Sequence, residues 1–421
     1  ACADVLKNHK PVDYRRLAHH RAEGGDYGLA YAAYMSAAKR SKWLVETNDM
    51  MTSVMNAARM LRISKASTDD PRWARIRLSW AKAQSEKSQL ARAQRHALRA
   101  WNALDRESNC APRVDALELL MDCAYRTHRT LESTRVPMRR YLEAAEALGE
   151  PTKLMSAYWV ISRKFMKLGE PVGQRLMVEK LRRLYEEKRA TLAEQDRIKF
   201  KLCLIQYQAD QASYEGRHDE ATRLGETLLE LAHKRGDRKG IALIHNMVGE
   251  FNRLAGRVDA AAIHYNEAHQ LWVEVGNEMD ASISIINLAL IRATQGRYDV
   301  ALDHWTAALE TVTRNNEAMA TRLRPAVLGV WAANGHWDRW HAHIDGAIQT
   351  IVSGDSGLDM LDAFADSCLL SWRSNAPAKV FDLSRAIKDA LADFSTPKLT
   401  ENIQQKLSAM DGPTGPVDHV D

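Results

Sequence analysis

Glycine stands at positions 216, 256 and 296, and alanine at 221, 261 and 301. Gly236 and Gly276 keep the same forty-residue step, with Asn316 in the third copy, and Tyr265 is echoed by Trp305. Several series at one period define an internal repeat, which constrains the fold more than any single motif. Each repeated residue has a physical task. The Gly at 216, 256 and 296 lets the chain reverse tightly between two helices. Gly236, Gly276 and Asn316 suit the left-handed residue that ends a helix. The small Ala, five residues beyond the turn, lets the paired helices approach closely. The aromatic four residues later fills the space between units. Each helix pair is left with an apolar face that only a neighbouring pair covers.

The rest of the chain is helical in period. Segments such as AIHYNEAHQLWVEV place apolar residues at steps of three and four. Strand-like alternation persists nowhere. The 11 prolines fall mostly between segments or at their starts, as in DDP, GEP and NAP. The pattern predicts an all-α chain of helices about 12–20 residues long. At 421 residues it exceeds one compact core. No apolar run of about 18 residues exists, so no membrane span is expected. The start, ACADVLKNHK, lacks the apolar stretch of a secretory signal. It begins with Ala rather than Met, which fits a piece of a longer protein or a processed one. The five cysteines are scattered with no CxxC pair, the pattern of reduced thiols in a cytoplasmic protein.

Taken together, Gly249, Gly256, Ala261, Tyr265 and Ala268 resemble the signature of the tetratricopeptide repeat (TPR), as do Ala289, Gly296, Ala301, Trp305 and Ala308. Near the N-terminus, Gly25, Tyr27, Ala30, Tyr34 and Ala37 repeat the scheme. The resemblance is clear over about 200–315 and 14–40. Its period is forty residues rather than thirty-four, so each helix gains most of a turn. It implies a right-handed α-solenoid superhelix of about nine TPR-like helix pairs. Degenerate, basic repeats are expected over 1–195, with pairs at 71–86 and 89–103, 111–127 and 131–147, and 152–167 and 172–188, and an additional helix over 44–62. Well-formed repeats are expected over 196–315. Further TPR-like helices with a closing helix at 397–410 fill 316–410, and a disordered tail is expected over 411–421. The composition also resembles the C-terminal TPR sensor arms of bacterial signalling proteins, which are attached to a serine/threonine kinase, a cyclase or a signalling ATPase.

No motif points to catalysis. There is no P-loop, no GxSxG elbow and no HExxH. The resemblance places any catalytic domain outside this chain, and no cofactor is expected. His336, His341 and His343, with Asp338 and Asp345, form the densest set of potential metal ligands. His341 and His343 are two apart and point to different helix faces, so a turn followed by a packed helix is expected instead of a metal site. His19 and His20 beside Arg15, Arg16 and Arg21 read as an exposed helix face, and Cys203 as a buried thiol. The tryptophans are expected to pack within and between repeats.

The resemblance does imply a binding surface. In this family the first helix of each pair lines a concave groove. Aligned on the turn glycines, the groove positions here are Gln206, Tyr207 and Asp210, then Asn246, Glu250 and Arg253, then Asn287. An Asn amide both donates and accepts, so it matches a peptide backbone group. Asn287 has apolar neighbours, Ile286 and Leu290, and the Lys and Asn set of a two-carboxylate clamp is absent. The expected partner is a protein or peptide. Charge offers an alternative. Residues 1–200 carry 38 Lys and Arg against 24 Asp and Glu, a net +14, and the remainder carries −9. A basic first half fits nucleic acid, with Arg75, Arg77 and Lys82 as contacts and affinity that falls with salt.

Overall fold

A computed structural model describes residues 12–44, 47–86, 89–104, 110–128, 130–353, 357–392, 394 and 397–411. Contacts divide the chain into two compact units, residues 1–160 and 161–421. Every regular element among the described residues is helical. The expected tail lies outside them beyond Asp411, as does Cys2.

In the first unit run α1 (Tyr14–Glu23), α2 (Tyr27–Leu44), α3 (Thr47–Ile63), α4 (Pro71–Glu86), α5 (Leu90–Leu104), α6 (Ala111–His128) and α7 (Leu131–Leu148). α8 (Pro151–Lys167) contains the division. The second unit continues with α9 (Pro171–Lys188), α10 (Glu194–Tyr214), α11 (His218–Arg235), α12 (Arg238–Leu254), α13 (Val258–Glu274), α14 (Glu278–Thr294) and α15 (Tyr298–Asn315). It ends with α16 (Glu317–Leu323), α17 (Leu328–Ala333), α18 (Trp337–Val352), α19 (Leu358–Arg373), α20 (Lys379–Leu391) and α21 (Pro397–Ser408). Most helices pack on their sequence neighbours, α3 closely on α2, while α21 packs mainly on α19. Proline opens α4, α8, α9 and α21, where its missing N–H costs nothing.

The repeat residues perform their expected tasks. Gly216, Gly256 and Gly296 take φ of 75°, 74° and 73° at the turns within pairs. Ala221, Ala261 and Ala301 are fully buried, as are Tyr265 and Trp305. The small residue in the first helix proves to be a steric partner of the aromatic in the second. A Cβ at Gly249 would stand 2.7 Å from Cε1 of Tyr265. Likewise a Cβ at Gly225, on α11, would collide with Val248 of α12. Between pairs, Asp237 and Asn277 accept the N–H groups of Gly240 and Asp280 and so cap α12 and α14.

One expectation needs correction, and one repeat departs from the pattern. Asn316 is not left-handed: its φ is −158°, and its side chain caps α16 by accepting the Met319 N–H at 3.1 Å. α15 runs one residue longer than its counterpart's turn allows, so one residue both ends a helix and starts the next. The following first helix is also broken. Pro325 lies in a 3-10 turn, Arg324–Val327, which separates α16 from α17. Proline donates no hydrogen bond and clashes with the preceding turn, so a continuous helix is excluded there. Trp272 and Trp340 are buried as expected, and Trp73, Trp80 and Trp101 pack against apolar clusters of the first unit while remaining half-exposed, as Trp159 is.

The Gly249 contact yields a stability test. Alanine normally stabilises a helix interior relative to glycine by about 1 kcal/mol. At Gly249 the overpacking against Tyr265 outweighs that gain, and Gly249→Ala is expected to lose about 1–3 kcal/mol in denaturant unfolding. Gly28→Ala, whose Cβ meets nothing within 4 Å, is the control and should not lose stability.

Candidate functional site

The seven groove positions lie on the first helices of three successive pairs: α10, α12 and α14. They divide into an amide pair, two sets of charged residues, and Gln206 with Tyr207. Gln206 and Tyr207 are half-buried on α10. Asp210, one turn on, is buried and paired with Arg163 of α8. Burial raises its carboxyl above the usual range, and Arg163 offsets only part of that shift.

The amide pair spans two repeats. Asn287 Nδ2 donates to Asn246 Oδ1 at 3.4 Å, and Ser284 Oγ reaches the same oxygen at 3.4 Å. Both bonds are at the long end of the range, so they constrain the amides weakly. Both asparagines are half-buried. Beside Asn246, His245 faces His264 of α13, Nδ1 to Nδ1 at 3.0 Å. Burial lowers the His245 pKa to about 4, with His264 and His233 adding like charge. His264 is also lowered by burial, against the opposing pull of Glu226 and Glu267.

The larger charged set extends well beyond the expected residues. Arg253 donates to Glu250 at 2.7 and 2.8 Å and to Asp362 of α19 at 2.7 Å, and it lies 3.5 Å from Asp366. Lys406 of α21 completes the set, 2.7 Å from both Asp362 and Asp366. The Tyr265 hydroxyl donates to Glu250 at 2.8 Å. Asp362 is only 2% exposed and the Arg253 side chain 10%, so this pairing is largely withdrawn from water. Burial alone would raise the Glu250 and Asp362 carboxyls. The cations reverse that shift and hold both below their usual values. Asp366 goes the other way, raised by burial and by Asp362 beyond what Lys406 restores. Sequence reasoning named Glu250 and Arg253 but missed Asp362, Asp366 and Lys406. Two aspartates four residues apart on the apolar helix LDMLDAFADSC were the available signal.

The potential metal ligands between His336 and Asp345 do not converge on one point. His343 Nδ1 donates to the Arg339 carbonyl at 2.9 Å and its ring packs on Trp331, while His341 packs on Trp340 and Asp345 pairs with Lys379. Among the described residues no group of three or more His, Cys, Asp or Glu is placed to hold a metal ion. No helix among them is long and apolar enough to cross a membrane. His19 and His20 both face Glu23 on the same helix. Cys203 is buried, which pushes its thiol up to about 12.

The profile of the tetratricopeptide repeat family matches residues 240–314, which are α12 to α15 with the amide pair and Arg253. These residues are tetratricopeptide repeats. No curated protein matches the sequence. Among solved structures, a Rap protein complexed with competence and sporulation factor is 11% identical to this TPR chain, with 90% of this chain and 98% of that one covered and a TM-score of 0.57. A Rap regulator of conjugation genes, in complex with a Phr peptide, is 14% identical over 92% and 98%, with a TM-score of 0.48. A signal transduction ATPase with a TPR sensor, from Pyrococcus horikoshii, is 13% identical over 86% of this chain and 55% of its own, with a TM-score of 0.43. At such identities the likeness to the first of these is one of fold. The TPR helices therefore extend architecturally beyond the segment that the profile matches.

The histidine pair is expected to titrate abnormally. His245 has a lowered pKa in the folded chain, so its neutral form stabilises the TPR above the ordinary value of 6.5, and that stability is lost as pH falls from 6.5 towards about 4. An NMR titration of the His245 ring should give a midpoint near 4. A midpoint at the ordinary value would mean the pair is open to water.

Proposed function

We propose that this chain is a non-catalytic scaffold that binds a peptide or protein segment along the inner face of α10, α12 and α14. The observation that carries this reading is the Asn246–Asn287 pair. Two half-buried amides on successive first helices are joined by a long bond, and each keeps capacity to exchange that bond for a peptide backbone. The likeness in fold to a Rap protein held with competence and sporulation factor supports the same reading. By contrast, Asp210 and Arg253 are engaged within the fold, so they shape the groove and its charge more than they offer free hydrogen bonds. The wider reading is a cytoplasmic regulatory or sensor arm of a bacterial signalling protein, with a kinase, cyclase or signalling ATPase as the attached catalytic part. It rests on the resemblance of the repeats to such arms. The complete reading frame tests it by the presence or absence of such a domain.

The groove is tested by panning a random peptide library on the immobilised chain and measuring the selected peptides by calorimetry. Asn246→Ala and Asn287→Ala should each weaken binding by about 3- to 10-fold, the value of one net hydrogen bond. Peptides that bind both variants as tightly as the unaltered chain would place the site elsewhere.

A second reading has its own observation in the first unit. Arg77 of α4 and Arg95 and Arg99 of α5 all act on His96, and none has an ion-pair partner among the described residues. Lys82, by contrast, pairs at 2.9 Å with Asp115, which also holds Lys153, and so belongs to the packing of α4 on α6. The Trp80 ring lies 5.6 Å from that of His96, beside these cations. Guanidinium groups next to half-exposed rings fit a single-stranded nucleic acid. Binding of an unstructured oligonucleotide should then fall with salt at a log–log slope of about −2 for three phosphate contacts, and Arg95→Gln with Arg99→Gln should flatten it to under about −1. A slope unchanged by the double variant removes this reading.

A further inference from the structure

The C-terminal segment touches residues 161–421 at widely separated points. Phe394, just before α21, packs on the turn after α8: a Cβ at Gly169 would stand 3.3 Å from its ring. Farther on, Lys406 holds Asp362 and Asp366 of α19, and Asp362 holds Arg253 of α12. One short segment thus joins the beginning of this unit, its TPR centre and its last helix pair. The body of α21 is anchored by apolar contact, with Ile403 and Leu407 fully buried and Met410 4% exposed. Its polar edge is not sealed. The side chains of Lys406 and Asp366 are 30% and 29% exposed, so water reaches this end of the cluster.

Charge makes the arrangement conditional. Glu250, Asp362 and Asp366 are three carboxylates that share two cations, Arg253 and Lys406. Take Lys406 away and three carboxylates are left around one guanidinium. Like charges at this range, in a partly water-excluded place, repel strongly. The strain falls between α12 and α19, because Glu250 sits on one and both aspartates on the other. Asn246 lies four residues before Glu250 and seven before Arg253, hence on the same face of α12. Whatever parts α19 from α12 therefore acts on the helix that carries Asn246.

We propose that α21 is a latch on the inner face of this unit. Lys406 holds α19 against α12 in a closed state, and its withdrawal frees α12, the helix that carries Asn246, and with it the Asn246–Asn287 bond. The consequence for a ligand rests on the peptide-binding reading, but the latch itself does not. A partner that displaces Lys406 would exchange the intramolecular contact for its own and so couple binding to a change between α12 and α19.

Amide hydrogen exchange on the full chain tests the latch without any ligand, so its failure leaves the peptide reading to be judged by the Asn246 and Asn287 variants. In Lys406→Ala, exchange over 244–254, 283–293 and 359–370 should rise tenfold or more, while α1 to α7 are unchanged. Lys406→Arg, which keeps the charge, should restore the original rates. Asp366→Asn, which relieves the repulsion and leaves Asp362 to hold both cations, should keep the closed pattern. Acceleration confined to 397–411 would reduce α21 to an end cap and overturn the proposal. So would acceleration of every helix from α9 to α20, which would mean that Lys406 supports the whole core.

Discussion

The paired helices between residues 194 and 315 approach closely because a methyl group, or nothing, stands where they cross. Ala221, Ala261 and Ala301 are fully buried at the same place in successive second helices. Opposite them, Gly249 leaves room for the Tyr265 ring, and Ala289 stands in the corresponding place before Trp305. That close approach sets where the first helices sit. The separation of α12 and α14 in turn brings Asn246 and Asn287 within reach of each other. A larger residue at any of these crossings would move an amide out of register, so the candidate site depends on residues that never touch it.

The buried ion cluster contributes differently. Replacing such a cluster with apolar side chains often stabilises a protein, because two charges lose much hydration when they leave water. Its value lies in geometry. Arg253 reaches a carboxylate 109 residues further along the chain. The guanidinium bonds Glu250 and Asp362 together, and the Tyr265 hydroxyl extends the network to the helix partner of α12. An apolar contact would tolerate sliding between α12 and α19, whereas a forked set of charged hydrogen bonds admits few alignments. The same cluster also ties the end of the chain to its TPR centre, which a solenoid held only by nearest neighbours would not require.

Much of the architecture was legible because its cause is local. Helix boundaries at 71–86, 111–128 and 151–167 follow from apolar period and from prolines at helix starts. The turn glycines announce themselves because few other residues accept positive φ. Where the reading failed, two local rules competed. Asn316 suits both a left-handed helix end and an N-cap, and the length of α15 selected the cap. Pro325 lies where the repeat places a first helix, and its ring splits that helix in two. Alignment on the repeat selects the candidate groove positions, but not their state of pairing. Lys82 is engaged in space by Asp115, which it shares with Lys153, while Arg95 and Arg99 have no ion-pair partner among the described residues.

Sequence alone therefore determined the helix pairs, their order and the face that each presents, since these depend on contacts within about forty residues and recur with that period. Tertiary structure alone decided which polar groups on that face are already engaged. Asp210 meets Arg163, Arg253 meets Asp362 and Lys406 bridges Asp362 to Asp366, while Asn246 and Asn287 share one long bond. The physical reason is that an ion pair depends on distance in space. A solenoid that brings α19 and α21 back to α12 creates partners that no periodicity in the chain records.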